Sequence, residues 1–271
     1  MNYDLCLNFQ RLADRTWKRL GMTAQLGYIT TFSEPAITED ILFELAMLNN
    51  PNITLLKTKQ SDEYKTGTDW EFWIGRNSRW VRYAIQAKKL DLKTGKYNSL
   101  YHKVHKIQKL QTAILREYAE KNEAVPLYCF YNYLDGGILE DAYPKYCHKL
   151  CPCCHRNYET QFGITVTPLS VVEPLMTPKN AKNRTFEWIH MKRETIPWHF
   201  LVCCDSDILS RSFTSEPKIY DSRPIFDIEK DSDDKLFRLV DSNSFINLKN
   251  LYKPEFGLPR NIAIIDLSEK G

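Results

Sequence analysis

Apolar positions in the first fifty residues recur every three or four places. Leu5, Phe9, Leu12, Thr16 and Leu20 share one face, so positions 4–20 are expected to form an amphipathic helix capped by Gly21. Thr38 can cap a second helix with Ile41, Leu42, Leu45 and Leu48 on its apolar face, and Asn49-Asn50-Pro51 ends it. Positions 53–57 read as a short strand. From position 69 the period falls to two. Trp70, Phe72 and Ile74 lie on one face and Asp69, Glu71 and Trp73 on the other; Gly75-Arg76-Asn77-Ser78 supplies a turn. Val81, Tyr83, Ile85 and Ala87 then alternate with Arg82, Ala84, Gln86 and Lys88. A hairpin that buries both apolar sets together must put Asp69, Glu71, Gln86 and Lys88 on one shared surface.

Helical spacing returns at Val104, Ile107, Leu110, Gln111, Ile114, Leu115, Tyr118 and Ala119, which predicts one long helix over 101–122. Positions 126–131 read as a buried strand, and a strand–helix–strand passage favours a parallel pair joined by a right-handed crossover. Positions 135–160 break the pattern with Gly136-Gly137, Pro144 and a run of cysteines, and are expected to be an insertion. A strand resumes at 162–167, 168–175 can be helical, and 197–204 is the last well-patterned segment. Beyond 205, Pro, Ser and Asp dominate. The expected architecture is α/β: a mixed central sheet flanked by helices over 1–205, with the Cys-rich insertion at about 135–160 and an irregular extension over 206–271 packed on the core.

Composition narrows the class. With 43% hydrophobic and 26% charged residues in 271, the chain is globular rather than disordered or low in complexity. A net charge of +3 neither demands nor excludes a polyanionic partner, because the location of the charge decides. No apolar run approaches the roughly 20 residues of a membrane span and the first residues lack a signal-peptide pattern, so a cytoplasmic protein without membrane contact is expected. Three of the 8 cysteines crowd into Cys151-Pro152-Cys153-Cys154 beside His155, which in a reducing compartment favours thiols or metal over disulfides. The Cys-X-X-Cys spacing could hold a structural Zn²⁺ through Cys147, Cys151, Cys154 and His155, with His148, Cys203 and Cys204 as further candidates. A second Cys-X-X-Cys is missing, and free thiols in a short insertion are the other reading.

Four polar groups on a hairpin face that otherwise packs a core need an account, since a buried charge costs several kcal/mol unless it is paired or bound to metal. One account is a solvated face with ordinary ion pairs. The other is chemical. The Asp69 carboxylate, the Gln86 side-chain oxygen and the Ala87 carbonyl would ligate a hard divalent cation, with Lys88 beside the reacting group.

Gly67-Thr68-Asp69 opening a hairpin, Gln86-Ala87-Lys88 in its second strand, a helix and then a parallel strand resemble the PD-(D/E)XK superfamily of restriction-endonuclease-like nucleases. Thr66-Gly67-Thr68-Asp69-Trp70-Glu71-Phe72-Trp73, Gln86-Ala87-Lys88-Lys89-Leu90 and the segments at 126–131 and 197–202 are similar to an uncharacterised, mainly bacterial branch of it. The resemblance implies a restriction-endonuclease-like core and a Mg²⁺- or Mn²⁺-dependent endonuclease that hydrolyses phosphodiester bonds in DNA or RNA. In that role Asp69 and Gln86 are metal ligands and Lys88 is the catalytic lysine. Such families also use a carboxylate from the preceding helix, for which Glu34 and Glu39 are both available. Glu71, Lys89, His102, Gln108 and Gln111 are candidate substrate contacts. His102 and His105 with Lys103, Lys106 and Lys109 could form a basic edge against phosphates, or else an ordinary solvated helix face. The resemblance also implies a place in bacterial antiviral defence, with a homodimer or a defence-system protein as candidate partners.

Gln86 departs from the usual Asp or Glu, and a neutral amide oxygen binds Mg²⁺ more weakly than a carboxylate. A reading of a different class therefore stands beside the nuclease: an inactive nuclease-fold protein that binds nucleic acid or a protein partner. A third is a zinc-stapled interaction module around 147–155.

Overall fold

The computed structural model describes residues 3–27, 32–58, 63–136, 159–204, 206–224, 238–240 and 259–268. Its first helix, α1 (Tyr3–Gln25), passes straight through Gly21. A Cβ at Gly21 would stand 2.6 Å from the Tyr133 ring, so glycine serves close packing there and not a cap. The chain leaves the helix at Gly27, which has a φ of 63°. The second helix, α2 (Glu34–Met47), also starts earlier than expected. Ser33 is its cap, its Oγ accepting from the Ala36 N–H at 3.4 Å, and Pro35 occupies the first turn. Thr38 lies inside the helix, where its hydroxyl donates to the Glu34 carbonyl at 3.2 Å and contacts the Tyr131 hydroxyl at 2.8 Å.

The strands are β1 (Ile53–Thr58), β2 (Trp70–Arg76), β3 (Arg79–Lys89), β4 (Lys103–Val104), β5 (Lys109–Leu110), β6 (Val125–Tyr131), β7 (Ile164–Pro168), β8 (Ile196–Pro197), β9 (Arg238–Val240) and β10 (Asn261–Asp266). The later helices are α3 (Glu63–Thr66), α4 (Gln111–Lys121), α5 (Leu169–Val172), α6 (Phe186–His190), α7 (Phe200–Cys203) and α8 (Ser206–Phe213). Among the described residues eight strands form one sheet in the order β8-β7-β6-β3-β2-β10-β1-β9, and β4 and β5 form a separate ribbon. The sheet is mixed: β2 pairs antiparallel with β3, while β3–β6 and β2–β10 are parallel. The expected hairpin and the expected parallel neighbour of β3 are both present.

Two broader expectations also fail. The long helix over 101–122 is half that length, because α4 begins only at Gln111. Residues 103–110 instead form the β4–β5 ribbon, turned at Gln108 with a φ of 55°. The apolar positions that mimicked a helical stripe, Val104 and Ile107, belong to that ribbon. The extension after 205 is not wholly irregular either. β10 lies between β2 and β1, inside the sheet, and Ile262, Ala263, Ile264 and Ile265 are buried there.

Helices cover both faces. Trp70, Phe72, Ile74, Val81, Tyr83 and Ile85 pack under α1, α2, α7 and α8, and the opposite face packs Ala84, Tyr128 and Phe130 against Leu115, Tyr118 and Ala119 of α4. Cys6 of α1 is disulfide-bonded to Cys203 of α7, although the cysteine pattern favoured thiols. The pattern weighed only the cluster at 147–155, and Cys203, once a candidate zinc ligand, is committed to Cys6. No helix among the described residues is long and apolar enough to cross a membrane.

Candidate active site

The hairpin brings Asp69, Gln86 and Lys88 together at the end of β3, as its alternation requires, with the Ala87 backbone between them. Gly67 makes this possible. Its φ is 64°, and a Cβ would stand 2.9 Å from the Leu115 N–H nitrogen and 3.3 Å from the Gln111 carbonyl of α4. The chain thus passes against the start of α4 and delivers Asp69 beside β3. There the Asp69 N–H donates to the Ile85 carbonyl at 2.9 Å, and the Asn261 amide donates to the Asp69 carbonyl at 3.0 Å.

The Asp69 carboxylate Oδ2 accepts from the Ala87 N–H at 2.6 Å and, in a very short contact, from Gln86 Nε2. Gln86 Nε2 also donates to the Ala87 carbonyl at 3.2 Å. Two oxygens, one anionic, therefore converge on a single NH₂ group. The far side of the Gln86 amide is held by Gln111, whose Nε2 donates to Gln86 Oε1 at 2.6 Å. Gln86, Lys88 and Gln111 are all buried, and Asp69 is half-buried.

Lys88 needs a counter-charge at that depth, and Glu34 supplies it, with Nζ to Oε1 at 3.6 Å. Glu34 Oε2 accepts the Lys89 N–H at 2.9 Å, and Lys89 Nζ donates to the Phe32 carbonyl at 3.0 Å. The start of α2 is thereby tied to the end of β3. Of the two carboxylates the sequence left open, Glu34 is the one in contact with Lys88. Glu39, one turn further on, pairs with Lys57 and Arg260, each at 2.9 Å.

The remaining candidates lie elsewhere. Glu71 shares the face of Asp69 but is fully buried under α4, where it pairs with Arg82 at 2.9 Å and accepts from Tyr118 at 2.7 Å and Trp73 at 2.8 Å. It can contact no substrate. Gln108 folds back onto the His105 carbonyl at 2.8 Å and serves its turn; His102 is exposed at the base of the ribbon. Cys147, Cys151, Cys154 and His155 lie outside the described residues. Among the described residues no three His, Cys, Asp or Glu side chains come together as a metal-ligand group.

Whether the cluster suits a hard cation can be judged from its donors. Asp69 and the Ala87 carbonyl already aim oxygens at one point, now taken by Gln86 Nε2. To offer oxygen instead, the Gln86 amide must turn over, and its hydrogens then need an acceptor. Gln111 Oε1 is buried and has no hydrogen-bond partner, so a paired turn of the two amides meets that need. The oxygen set of Asp69, Gln86 and Ala87 fits Mg²⁺ or Mn²⁺ on these terms.

Sequence reasoning missed Asn261, which anchors the Asp69 backbone, and Tyr128. The signal for Asn261 was the apolar run Ile262–Ile265 that it precedes, a run of strand length. Tyr128 pairs with Gln86 in the β3–β6 register, its buried hydroxyl has no partner, and burial together with the Asp69 carboxylate pushes its ionisation far up. It stays a neutral phenol.

A family model matches residues 5–266, nearly the whole described fold. The chain belongs to DUF6615, a family of unknown function. The matched stretch spans every strand and every site residue above. No curated protein and no solved structure matched the chain.

Proposed function

We propose that this DUF6615 protein is a metal-dependent nuclease of the PD-(D/E)XK type, acting on DNA or RNA with Mg²⁺ or Mn²⁺. The observation that carries the reading is the convergence of the Asp69 and Ala87 oxygens on the Gln86 side-chain amide, next to a buried lysine held by Glu34. A bound divalent cation would acidify a water and offset charge on the phosphoryl oxygens. The chain's own residues do the rest. Asp69 and Gln86 fix the position of the cluster through the Ala87 N–H and Gln111. Lys88 Nζ, kept in place by Glu34, orients the attacking water and opposes the negative charge that grows on the phosphoryl oxygens. Water forms one P–O bond, the bond to the departing sugar oxygen breaks, and that oxygen takes up a proton.

A role in antiviral defence and a partner protein or second copy remain part of the proposal through the sequence resemblance. A binding scaffold without catalysis is the second reading, favoured by the Gln86 N–H group that faces Asp69. Cleavage of plasmid, single-stranded DNA or RNA by the purified protein, present with Mg²⁺ or Mn²⁺ and stopped by a chelator, supports the nuclease. No cutting and no Mn²⁺ binding supports the scaffold.

A further inference from the structure

The chain's charge is concentrated in one place. Residues 88–109 contain Lys88, Lys89, Lys93, Lys96, Lys103, Lys106 and Lys109 against the single acid Asp91, a net of +6 from seven lysines and one aspartate. The whole chain is only +3, so the other residues sum to −3. The fold lays this segment out in two parts on either side of the short helical turn Asn98–Leu100.

Lys89 and Lys93 of the first part line an open cleft of about 730 Å³ that also contains Glu34 of the candidate site. Polar groups of Thr23, Ser33, Lys89, Lys93, Asn98 and Ser99 make up most of its walls, beside Leu92, and no aromatic ring lines it. Asp91, the one acid of the segment, lies at the same cleft and is occupied. Although partial burial works the other way, N–H groups of Lys93 and Thr94 and the Asn98 amide hold its carboxyl below the ordinary range.

The second part is the β4–β5 ribbon. Tyr101, His102, Lys103, His105, Lys106, Ile107, Gln108 and Lys109 are all exposed, and no acid occurs from 101 to 110. The ribbon is anchored to the site at both margins. Its base is closed by the Gln111 N–H donating to the His102 carbonyl at 2.9 Å, and Gln111 is the residue that holds Gln86. Lys106 Nζ sits 3.8 Å from the centre of the Tyr64 ring in α3, the helix that leads into Asp69. Lys109 is paired with Glu117 at 2.9 Å, which leaves Lys103 and Lys106 as the cations that would act on a ligand.

We infer that the cleft and the β4–β5 ribbon form one cationic track flanking the Asp69 cluster, which grips the sugar-phosphate backbone of a nucleic-acid strand without reading its bases. In the cleft, lysine, hydroxyl and amide groups without an aromatic ring suit phosphates and sugars rather than stacked bases, and on the ribbon the Tyr101 ring faces the Arg184 guanidinium at 4.9 Å. The charge asymmetry accounts for how a protein of net +3 could hold a polyanion. The inference rests on the nuclease reading for the purpose of the track, but binding can be measured without cleavage.

The test is fluorescence anisotropy of a labelled 20-nucleotide single strand and of its duplex in EDTA, over a range of KCl, with the full chain. Lys103→Gln with Lys106→Gln should lower the slope of log affinity against log salt by about 1.4 for the single strand and about 1.8 for the duplex, and weaken binding about tenfold at 100 mM KCl. Strands of unlike sequence should bind equally. Arg11→Gln with Lys18→Gln removes the same charge from the exposed face of α1 and should leave the slope unchanged. An unchanged slope in the ribbon variant, or an equal fall in the α1 variant, overturns the track. Hydrolysis of bis(4-nitrophenyl) phosphate with Mn²⁺ separates the two claims. Wild-type strand binding with no hydrolysis of either substrate keeps the track and sinks the nuclease, whereas hydrolysis with an unaltered salt slope does the reverse.

Discussion

Gln111 donates from Nε2 to Gln86 Oε1 at 2.6 Å, and this contact decides which end of the Gln86 amide faces Asp69. If a cation requires the amide to turn, Gln111 must turn with it, whereas a carboxylate at 86 needs no such change. Gln86→Glu is therefore expected to tighten Mn²⁺ binding, and Gln111→Leu to weaken it about tenfold in the Gln86 protein but little in the Gln86→Glu background. Titration of free Mn²⁺ by electron paramagnetic resonance on the four proteins checks this. Equal losses in both backgrounds would show that Gln111 acts through packing alone.

Glu71 and Arg82 form a wholly buried ion pair, roofed by Tyr118 and with the Arg82 guanidinium 5.2 Å from the Trp73 ring centre. Arg82→Met strands a carboxylate in the core and is expected to cost about 3–5 kcal/mol. Glu71→Gln combined with Arg82→Met should recover part of that loss, since no uncompensated charge is left behind. Urea unfolding of the single and double variants measures both.

His190 is buried between Thr165 and the stacked Phe186 ring, and desolvation drives its pKa down to about 3, against the Phe186 carbonyl that pulls it up. The folded protein thus holds fewer protons on this group than the unfolded chain. Stability rises with pH across the interval from about 3 to about 6.5 and is lost as pH falls through it. Between pH 7 and pH 5 this group is expected to remove about 2 kcal/mol, and His190→Gln should flatten that part of the stability profile by the same amount. Denaturant melts at a series of pH values report it.

Legibility in the sequence followed the range of the interactions. The hairpin was fully readable because period-two alternation from Trp70 to Ile74 and Val81 to Ala87 assigns each side chain to a face, and that alone brings Asp69 to Gln86. That Glu34 meets Lys88 while Glu39 does not was hidden, since it depends on Lys57 and Arg260 claiming Glu39, contacts between distant segments. Gly21 misled for a similar reason: a glycine admits both a cap and a close ring, and only the Tyr133 ring distinguishes them. Glu71 looked like a substrate contact because alternation reports a face and not what covers it. β10 was obscured by an irregular stretch before it, although its apolar run was in view.

The Cys6–Cys203 bond ties α1 to α7 across 197 residues of sequence, a loop long enough for its closure to restrict the unfolded chain strongly. Reduction, or Cys6→Ser with Cys203→Ser, is expected to lower unfolding stability by about 2–4 kcal/mol. Melts with and without reductant check this, and the serine variant should show no response to reductant.

The central claim is that the Asp69 cluster cuts phosphodiester bonds, and cleavage of a labelled nucleic acid under single-turnover conditions with Mn²⁺ tests it most directly. Asp69→Asn and Lys88→Met should each slow cutting by about a hundred- to a thousandfold with melting temperatures close to wild type. Glu39→Gln, in a residue that faces Lys57 and Arg260, should cut as the wild type does. Wild-type cutting that survives in Asp69→Asn would contradict the account.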